Sequence, residues 1–570
     1  MDQHTGGDAV VDVLEQAGVE VVFGIPSVHS LPIYDALRRR GRIRAITVRH
    51  EQGAAGAADA YARVTGKLGV FMTSTGPGAA NAMGGLLEAF VSGSPVLHIT
   101  GQVETTYLDQ DRGFIHEVPD QPAMLGSLSK AVHRAQSADQ IASVLAGAIS
   151  QALSAPRGPV CVELPIDLQY ADAALVPSET LTALMSPVAV AAPDPRELDR
   201  AVDVVRASRR PLLWAGGGAV SAGAEAEIQE LARRIGAGVI MSPNGRGVLP
   251  EDDPAVIGNL SWDPDVRALC RDADLLIAIG TRYQGPNTEN WKMQLPETIV
   301  QIDVNPDRPG RSYEARVPLR GDAREAVAAI LAALDSRPSA GAEEGWPARV
   351  AEATASARSR LRHVIGAQEG LLDEVAAAIA PGTVVVKDAT IPAYTWGNRL
   401  LPVARSRTAI SPNGFAIGLG LAHALGAGAA AALLARGDDR AEPVILMAGD
   451  GGVMLTLPEL ATLAAEQLPV VVIVFCDGGY GILRNIQDKQ YGEEAGRIGV
   501  ELGSPDFVAA AKALGVEAER VTTALDFGKA LRSALSAAKP YLIEVDLNAI
   551  GPMSRPYTGT SRPPEGATRA

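Results

Sequence analysis

The chain has 570 residues, 47% hydrophobic and 21% charged, with a formal charge of 51 − 66 = −15. Its length suggests three or four domains at roughly 150 residues each, and the composition excludes a disordered chain or a fibre. The acidic balance, with no basic cluster, weighs against nucleic acid or an anionic membrane as partner, and Cys161, Cys270 and Cys476 lie too far apart for a disulfide framework or a CxxC zinc site.

The first residues, MDQHTGGDAVVDVLEQAG, lack the basic region of a signal peptide, so a reducing cytoplasm is the expected setting. Short apolar runs then recur along the chain. They are LGVFMTST (68–75), PVLHITG (95–101), GPVCVELP (158–165), PLLWAGGG (211–218), AGVIMSP (237–243), ADLLIAIG (273–280) and TIVQIDVNP (298–306). GTVVVKDA (382–389), PVILMAGDGG (443–452), PVVVIVFCDGG (469–479) and YLIEVDL (541–547) complete the series. Apolar runs without alternation predict strands buried on both faces, hence parallel sheets covered by helices. The fold class is therefore α/β, with doubly wound sheets throughout.

The proline-rich stretch 175–197 and the polar stretch 335–347 interrupt this rhythm and read as linkers. They divide the chain into α/β domains at roughly 1–172, 195–333 and 355–550, followed by a tail, 551–570, expected to be a mobile flap or disordered. The run 415–435, FAIGLGLAHALGAGAAAALLA, has the length of a membrane span but consists mostly of Ala and Gly. A buried, closely packed helix is the better reading.

The strongest chemical signal is GDGG at 449–452 followed by CDGGYG at 476–481. Asp450 and Asp477 each follow a predicted strand, so a parallel sheet places both at the edge where open α/β folds bind ligands. Two carboxylates beside bare glycine backbone suit a hard divalent cation bridging to phosphate oxygens, and helix N-termini after Gly451 and Gly481 would favour a diphosphate. The alternative is a pair of glycine turns with solvated aspartates.

These residues resemble the thiamine-diphosphate-dependent enzymes, in which GDG precedes a metal-binding Asn or Asp. RHEQGAAGAADAYAR (49–63) is similar to the family's glutamate helix, TSTGPGAANAMGG (73–85) to the turn against the aminopyrimidine, and SPNGFAIGLGLAHALGA (411–427) to the segment beneath the thiazolium. The likeness covers almost the whole chain and is nearest the acetohydroxyacid (acetolactate) synthase and 2-oxo-acid decarboxylase group. It implies pyrimidine-binding, central and diphosphate-binding domains in that order.

The resemblance also implies roles. Glu51 would hydrogen-bond the aminopyrimidine and drive proton removal from thiazolium C2. Pro77, Asn81, Thr390, Asn413, Phe415, Ile417, Asp450, Gly451, Gly452, Tyr480, Gly481 and Ile482 would contact thiamine diphosphate, Ile417 bending it. Asp450, Asp477 and Gly479 would hold Mg2+. His29, His116 and Gln121 would line the cavity above the thiazolium, the histidines passing protons to the substrate. The two ends of the cofactor would be held by different subunits, in a homodimer at least and commonly a homotetramer.

Departures from the family pattern narrow this. Leu260-Ser261-Trp262 replaces the Met-His-Gly loop of the flavin-carrying synthases, and GTRYQGPNT (280–288) replaces their Gly-Ala-Arg-Phe-Asp stretch, which weighs against FAD. Ile486 stands where those synthases carry a Trp, and His116-Glu117 stands where they carry Phe-Gln. The expected reaction is decarboxylation of a pyruvate-like 2-oxo acid, ending in an aldehyde or in ligation to a second carbonyl. Cleavage of a C–C bond in a cyclic diketone or acyloin is the alternative. A catalytically silent regulatory homologue is disfavoured by the intact Glu51, Asp450 and Asp477.

Overall fold

The computed structural model describes residues 4–435 and 441–559. They build three six-stranded sheets, every strand pairing parallel within them. The first comprises β1 (Val21–Gly24), β2 (Arg44–Thr47), β3 (Gly69–Thr73), β4 (Val96–Gln102), β5 (Ala131–Arg134) and β6 (Val160–Pro165), in the order β2-β1-β3-β4-β6-β5. The second comprises β7 (Pro211–Ala215), β8 (Gly238–Met241), β9 (Val256–Gly258), β10 (Leu275–Ile279), β11 (Ile299–Asp303) and β12 (Val317–Arg320), in the order β12-β11-β10-β7-β8-β9. The third comprises β13 (Val385–Lys387), β14 (Ala409–Ile410), β15 (Val444–Gly449), β16 (Val470–Cys476), β17 (Glu517–Val521) and β18 (Tyr541–Asp546), in the order β14-β13-β15-β16-β18-β17.

The first and third sheets thus share one topology. In each, the strand order reverses beside the first strand, between β1 and β3 and between β13 and β15. The central sheet is wound differently and reverses between β7 and β10. Such a reversal splays the loops at the carboxyl ends of two neighbouring strands and leaves a crevice between them.

The inner strands are buried on both faces: VVVIVFC in β16 and VILMAG in β15 are buried at every position. Each of the eleven apolar runs in the sequence coincides with one strand, β4 extending one residue past its run. Seven strands lie outside those runs, and six of them (β2, β5, β9, β12, β14 and β17) are sheet edges.

The first predicted linker is corrected by the structure. Residues 178–185 form the helix Ser178–Met185, whose Leu181 and Met185 are buried in the core of the first unit. An apolar pair four residues apart supplies one helical face, which the surrounding prolines obscure in the sequence. Between Ser336 and Trp346 there is no helix, as a linker requires, and Trp346 anchors the following helix by donating from Nε1 to the Pro211 carbonyl at 3.0 Å.

The Ala/Gly run contains the helix Gly420–Leu434, buried from Gly420 to Ala430 against the helix Glu51–Thr65. A Cβ on Gly426 would lie 2.0 Å from the Ala57 carbonyl oxygen, so only glycine permits this approach. No helix among the described residues is long and apolar enough to cross a membrane. Tail residues 551–559 pack back on the third unit, where Tyr557 accepts from Asn485 Nδ2 at 3.0 Å and the Ser554 amide donates to the Val364 carbonyl at 3.0 Å. Residues 560–570 of the expected flap lie outside the described residues.

Candidate active site

Both sheets of shared topology carry predicted site residues at their crevices. In the third unit, loops 388–392 after β13 and 449–452 after β15 enclose a cavity of about 250 Å³ with residues 477–483 after β16. Thr390, Ile417, Asp450, Gly451, Gly452, Asp477, Gly479, Tyr480, Gly481 and Ile482 all line it.

Asp450 opens the helix Asp450–Thr456 and is 3% exposed. One carboxyl oxygen accepts from the Gly451 amide at 2.8 Å. The other accepts from the amides of Asp477 at 3.3 Å and Gly478 at 2.8 Å, and from the Ser504 hydroxyl. Asp450 therefore sets the turn that carries Asp477. Burial pushes the Asp477 carboxyl above its ordinary range and the Asp450 charge pushes it further, against a pull from Arg484, whose Nη1 is 3.6 Å away. A carboxylate whose ionisation is opposed by burial and by a neighbouring carboxylate marks a place that a cation would relieve.

Bare glycine backbone at 449, 451 and 452 walls the cavity, the kind of surface a diphosphate needs. A Cβ on Gly451 would lie 2.6 Å from the Tyr480 ring, so the loop closes directly over its neighbour. Among the described residues no cluster of three or more His, Cys, Asp or Glu side chains could hold a metal. A cation would rest on Asp450, Asp477 and main-chain oxygen, as a hard oxygen-liganded ion does.

In the first unit the crevice is flanked by the loop after β1, which carries His29, and the turn after β3, which carries Ser74 and Pro77. Glu51 opens its helix, with His50 as N-cap accepting from the Gln52 amide at 3.2 Å. Its Oε2 accepts from Asn81 Nδ2 at 3.0 Å, and Pro77 starts the short helix Pro77–Asn81 that delivers Asn81. Glu459 of the third unit accepts from the amides of Arg49 at 3.0 Å and His50 at 3.2 Å and so fixes the approach to Glu51.

His29 is 2% exposed and His116 is half-buried, with ring centroids 5.3 Å apart. Ser74 Oγ lies 3.2 Å from His29 Nδ1 and 3.1 Å from His116 Nδ1. Burial lowers the His29 pKa and the charge of His116 lowers it further. His116 holds a φ of 65°, a region that costs a non-glycine residue energy and clusters at functional sites.

Three predicted residues stand elsewhere. Gln121 is 1% exposed and bonded at both ends of its amide: its Oε1 accepts from the Gly76 amide at 2.7 Å and Thr75 Oγ1 at 3.0 Å, while Nε2 donates to Glu163 at 2.7 Å. It shapes the 74–78 turn. Asn413 lines a different cavity, of about 510 Å³, at the carboxyl edge of the central sheet, and donates to Ser92 Oγ at 2.7 Å. Phe415 is exposed and lies outside the lining of the 250 Å³ cavity. None of the first unit's residues lines that cavity either. Within one chain, Glu51 and the Asp450–Asp477 pair stand at separate crevices.

Sequence reasoning missed Ser74, Ser504, Glu88 and Glu459. Ser74 stood inside a recognised motif, where glycine and proline drew attention away from it. Ser504 is 54 residues from Asp450 and carries no local signal. Glu88, fully buried, accepts from the Asn413 and Gly414 amides, and burial raises its pKa.

Residues 4–124 match the family described as thiamine pyrophosphate enzyme, N-terminal TPP binding domain. Residues 198–330 match its central domain and 392–545 its C-terminal TPP binding domain. A probable 2-ketoarginine decarboxylase of Pseudomonas aeruginosa is 33% identical over 95% of this chain and 94% of its own. A probable acetolactate synthase large subunit of Methanocaldococcus jannaschii is 30% identical over 95% and 91%. An acetolactate synthase large subunit of Corynebacterium glutamicum is 29% identical over 94% and 85%.

Proposed function

Because the chain belongs to the thiamine pyrophosphate enzyme family, we propose that it uses thiamine diphosphate with Mg2+ to decarboxylate a pyruvate-like 2-oxo acid. The product is an aldehyde, or the unit left after CO2 loss is joined to a second carbonyl. Its class, a thiamine-diphosphate-dependent decarboxylase or carboligase, follows from the membership; the metal, the substrate and the fate of the product are our reading. We take the domains as 1–172, 195–333 and 355–550, the central one without flavin.

The observation that carries this reading is the Asp450–Asp477 pair above a glycine-walled cavity at a strand-order reversal. Asp450, Asp477 and the Gly479 carbonyl would hold the metal, and the 449–452 loop the diphosphate. Held there, the cofactor would supply nucleophilic carbon and an electron sink for decarboxylation. Glu51 would hold a proton toward the aminopyrimidine with the oxygen that Asn81 leaves free. His29 and His116 take and give protons at Nε2 to the substrate's oxygen and carbon. Gln121 keeps the turn beneath them in place.

Two copies of the chain complete the site. Glu51 and Asn81 stay partly open to solvent in one chain, and apolar side chains are exposed around both half-sites, among them Val28, Leu31, Phe415, Met454 and Leu455. Exposed apolar surface of this kind marks an interface. Localisation in the cytoplasm and assembly to a homotetramer belong to the same reading.

A second reading concerns the substrate's tail. The loop holding His116 carries Glu104, Asp109, Asp111, Glu117 and Asp120 against one basic residue, Arg112. That charge suits a 2-oxo acid with a cationic end, the substrate type in the name of the Pseudomonas relative. Turnover of pyruvate and of a guanidino 2-oxo acid by the reconstituted enzyme, with CO2 measured directly, tests both. A protein that releases no CO2 from any 2-oxo acid yet cleaves a cyclic diketone would replace this reading with C–C bond cleavage.

A further inference from the structure

A serine hydroxyl has one hydrogen, and Ser74 offers it between two histidine nitrogens. Its Oγ lies 3.2 Å from His29 Nδ1 and 3.1 Å from His116 Nδ1. It can donate to only one of them and must accept from the other. The ring that receives the hydroxyl proton has a bare Nδ1 and so carries its own proton on Nε2. The ring that donates has Nδ1–H and a free Nε2. The two rings are forced into opposite tautomers, so one Nε2 is a donor and the other an acceptor.

We infer that Ser74 couples His29 and His116 into a relay that carries one proton from the half-buried ring to the buried one. The transfer balances with solvent as the proton source at the half-buried ring and the substrate's oxygen as the acceptor at the buried one. A proton binds the free Nε2 of His116, whose Nδ1–H then passes to Ser74 Oγ. The Ser74 proton passes to His29 Nδ1, and His29 releases its Nε2 proton to an acceptor in the cleft. At the end both tautomers and the direction of the hydroxyl are reversed, and one proton has crossed. Burial and the neighbouring ring both oppose a charge on His29, so the pair favours carrying one added proton at a time.

The surroundings leave the pair this freedom. Against His29 pack Gly101 of β4 and Gln169, whose Nε2 donates to the His29 carbonyl at 2.8 Å. The charged groups on adjoining elements are engaged: Glu163 with Arg134 at 2.7 Å, Asp167 with the Thr105 amide at 3.0 Å, Glu117 with the Phe114 amide at 2.9 Å, and Glu51 with Asn81. Ser74 stands at one end of the turn whose other end, Gly78, faces Glu51; a Cβ there would lie 3.3 Å from Glu51 Oε1. Ser74 is a positioning residue: it touches the rings that act, not the reacting atoms.

This rests on the proposed reaction for its purpose, but its test does not. The holoenzyme, reconstituted with thiamine diphosphate and Mg2+, is labelled with 15N in histidine and titrated by NMR. Wild type should show His29 and His116 as opposite tautomers that take up protons in two linked steps. Ser74→Ala should let each ring titrate singly, and Ser74→Thr, which keeps the hydroxyl, should restore the linked titration. Ser74→Ala should also lower kcat about tenfold or more, with its pH profile shifted and KM little changed, since a positioned proton-transfer group contributes roughly 10²–10⁴-fold. If Ser74→Ala, folded by circular dichroism, titrates like wild type, the relay is wrong whatever the activity. If the linked titration is present but no 2-oxo acid is turned over, the coupling stands and the proposed reaction fails.

Discussion

Asn81 donates from Nδ2 to Glu51 Oε2 across 3.0 Å, tying the short helix after β3 to the first turn of the helix after β2. The contact occupies one carboxyl oxygen and leaves the other for a ligand. It also means that the Glu51 carboxyl is oriented by the protein itself, with no ligand required.

Replacing Glu51 by Gln keeps the oxygen that Asn81 holds. The variant should therefore fold and bind thiamine diphosphate, yet exchange the cofactor's C2 proton about 10²–10⁴-fold more slowly, the usual cost of losing an acid–base group. Quenched-flow NMR of H/D exchange measures this. Exchange at the wild-type rate would take Glu51 out of the mechanism.

Asp450→Ala removes a carboxylate facing the cavity and the acceptor of the Gly478 amide at 2.8 Å. Metal-dependent binding of thiamine diphosphate should be lost to calorimetric titration, while far-ultraviolet circular dichroism changes little. Binding that survives with its Mg2+ dependence intact would place the metal elsewhere.

The central unit should hold no flavin. Leu260 is fully buried, Ser261 donates to the Asn287 carbonyl at 2.8 Å, and the Trp262 ring lies under Arg399 at 4.7 Å. None of the three lines the 510 Å³ cavity. The absorbance spectrum of the purified protein decides: a flavin band at near-stoichiometric amount overturns this and strengthens the synthase reading.

Arg246 is 2% exposed and forks onto Glu251 at 2.7 and 2.6 Å while donating to the carbonyls of Gly397 and Leu401. It thereby joins the central unit to the third. Glu251→Ala strands a buried cation and should cost about 3–5 kcal/mol, whereas replacing both partners by Met and Leu should recover most of it. Scanning calorimetry compares them. A single variant as stable as wild type would mean that water reaches the guanidinium.

His98 is fully buried, stacked on Phe71 with centroids 4.2 Å apart and bonded to Thr73 Oγ1 at 2.9 Å, and burial lowers its pKa from 6.5 to about 3. Between those values the unfolded chain binds a proton that the native chain refuses. Stability should therefore fall with pH, by up to about 1.4 kcal/mol per unit from this group. His98→Leu, though less stable at neutral pH, should show a shallower decline of its urea midpoint from pH 6.5 to 5. An unchanged slope would mean that His98 takes up its proton while folded.

The sequence alone determined the α/β class, eleven of the twelve inner strands and the buried Ala/Gly helix. These are local statements: an unbroken Val/Ile/Leu run can be buried only from both sides, and Asp450 and Asp477 directly follow such runs. Tertiary structure decided the rest. The edge strands escaped notice because one flank of each lacks a neighbour; β2, for example, buries only Ile46 and reads as polar. The helix Ser178–Met185 exists because the first unit's core accepts Leu181 and Met185, a partner no sequence window contains. Gln121 proved to be spent on Glu163 and the Gly76 amide, and Asn413 to be turned toward Ser92, because hydrogen bonds across 42 and 321 residues outweigh any motif. Ser74 acquired its meaning in the same way. Its hydroxyl is ordinary in the sequence, and only the crossing of three loops at one reversal of strand order sets it between two imidazoles.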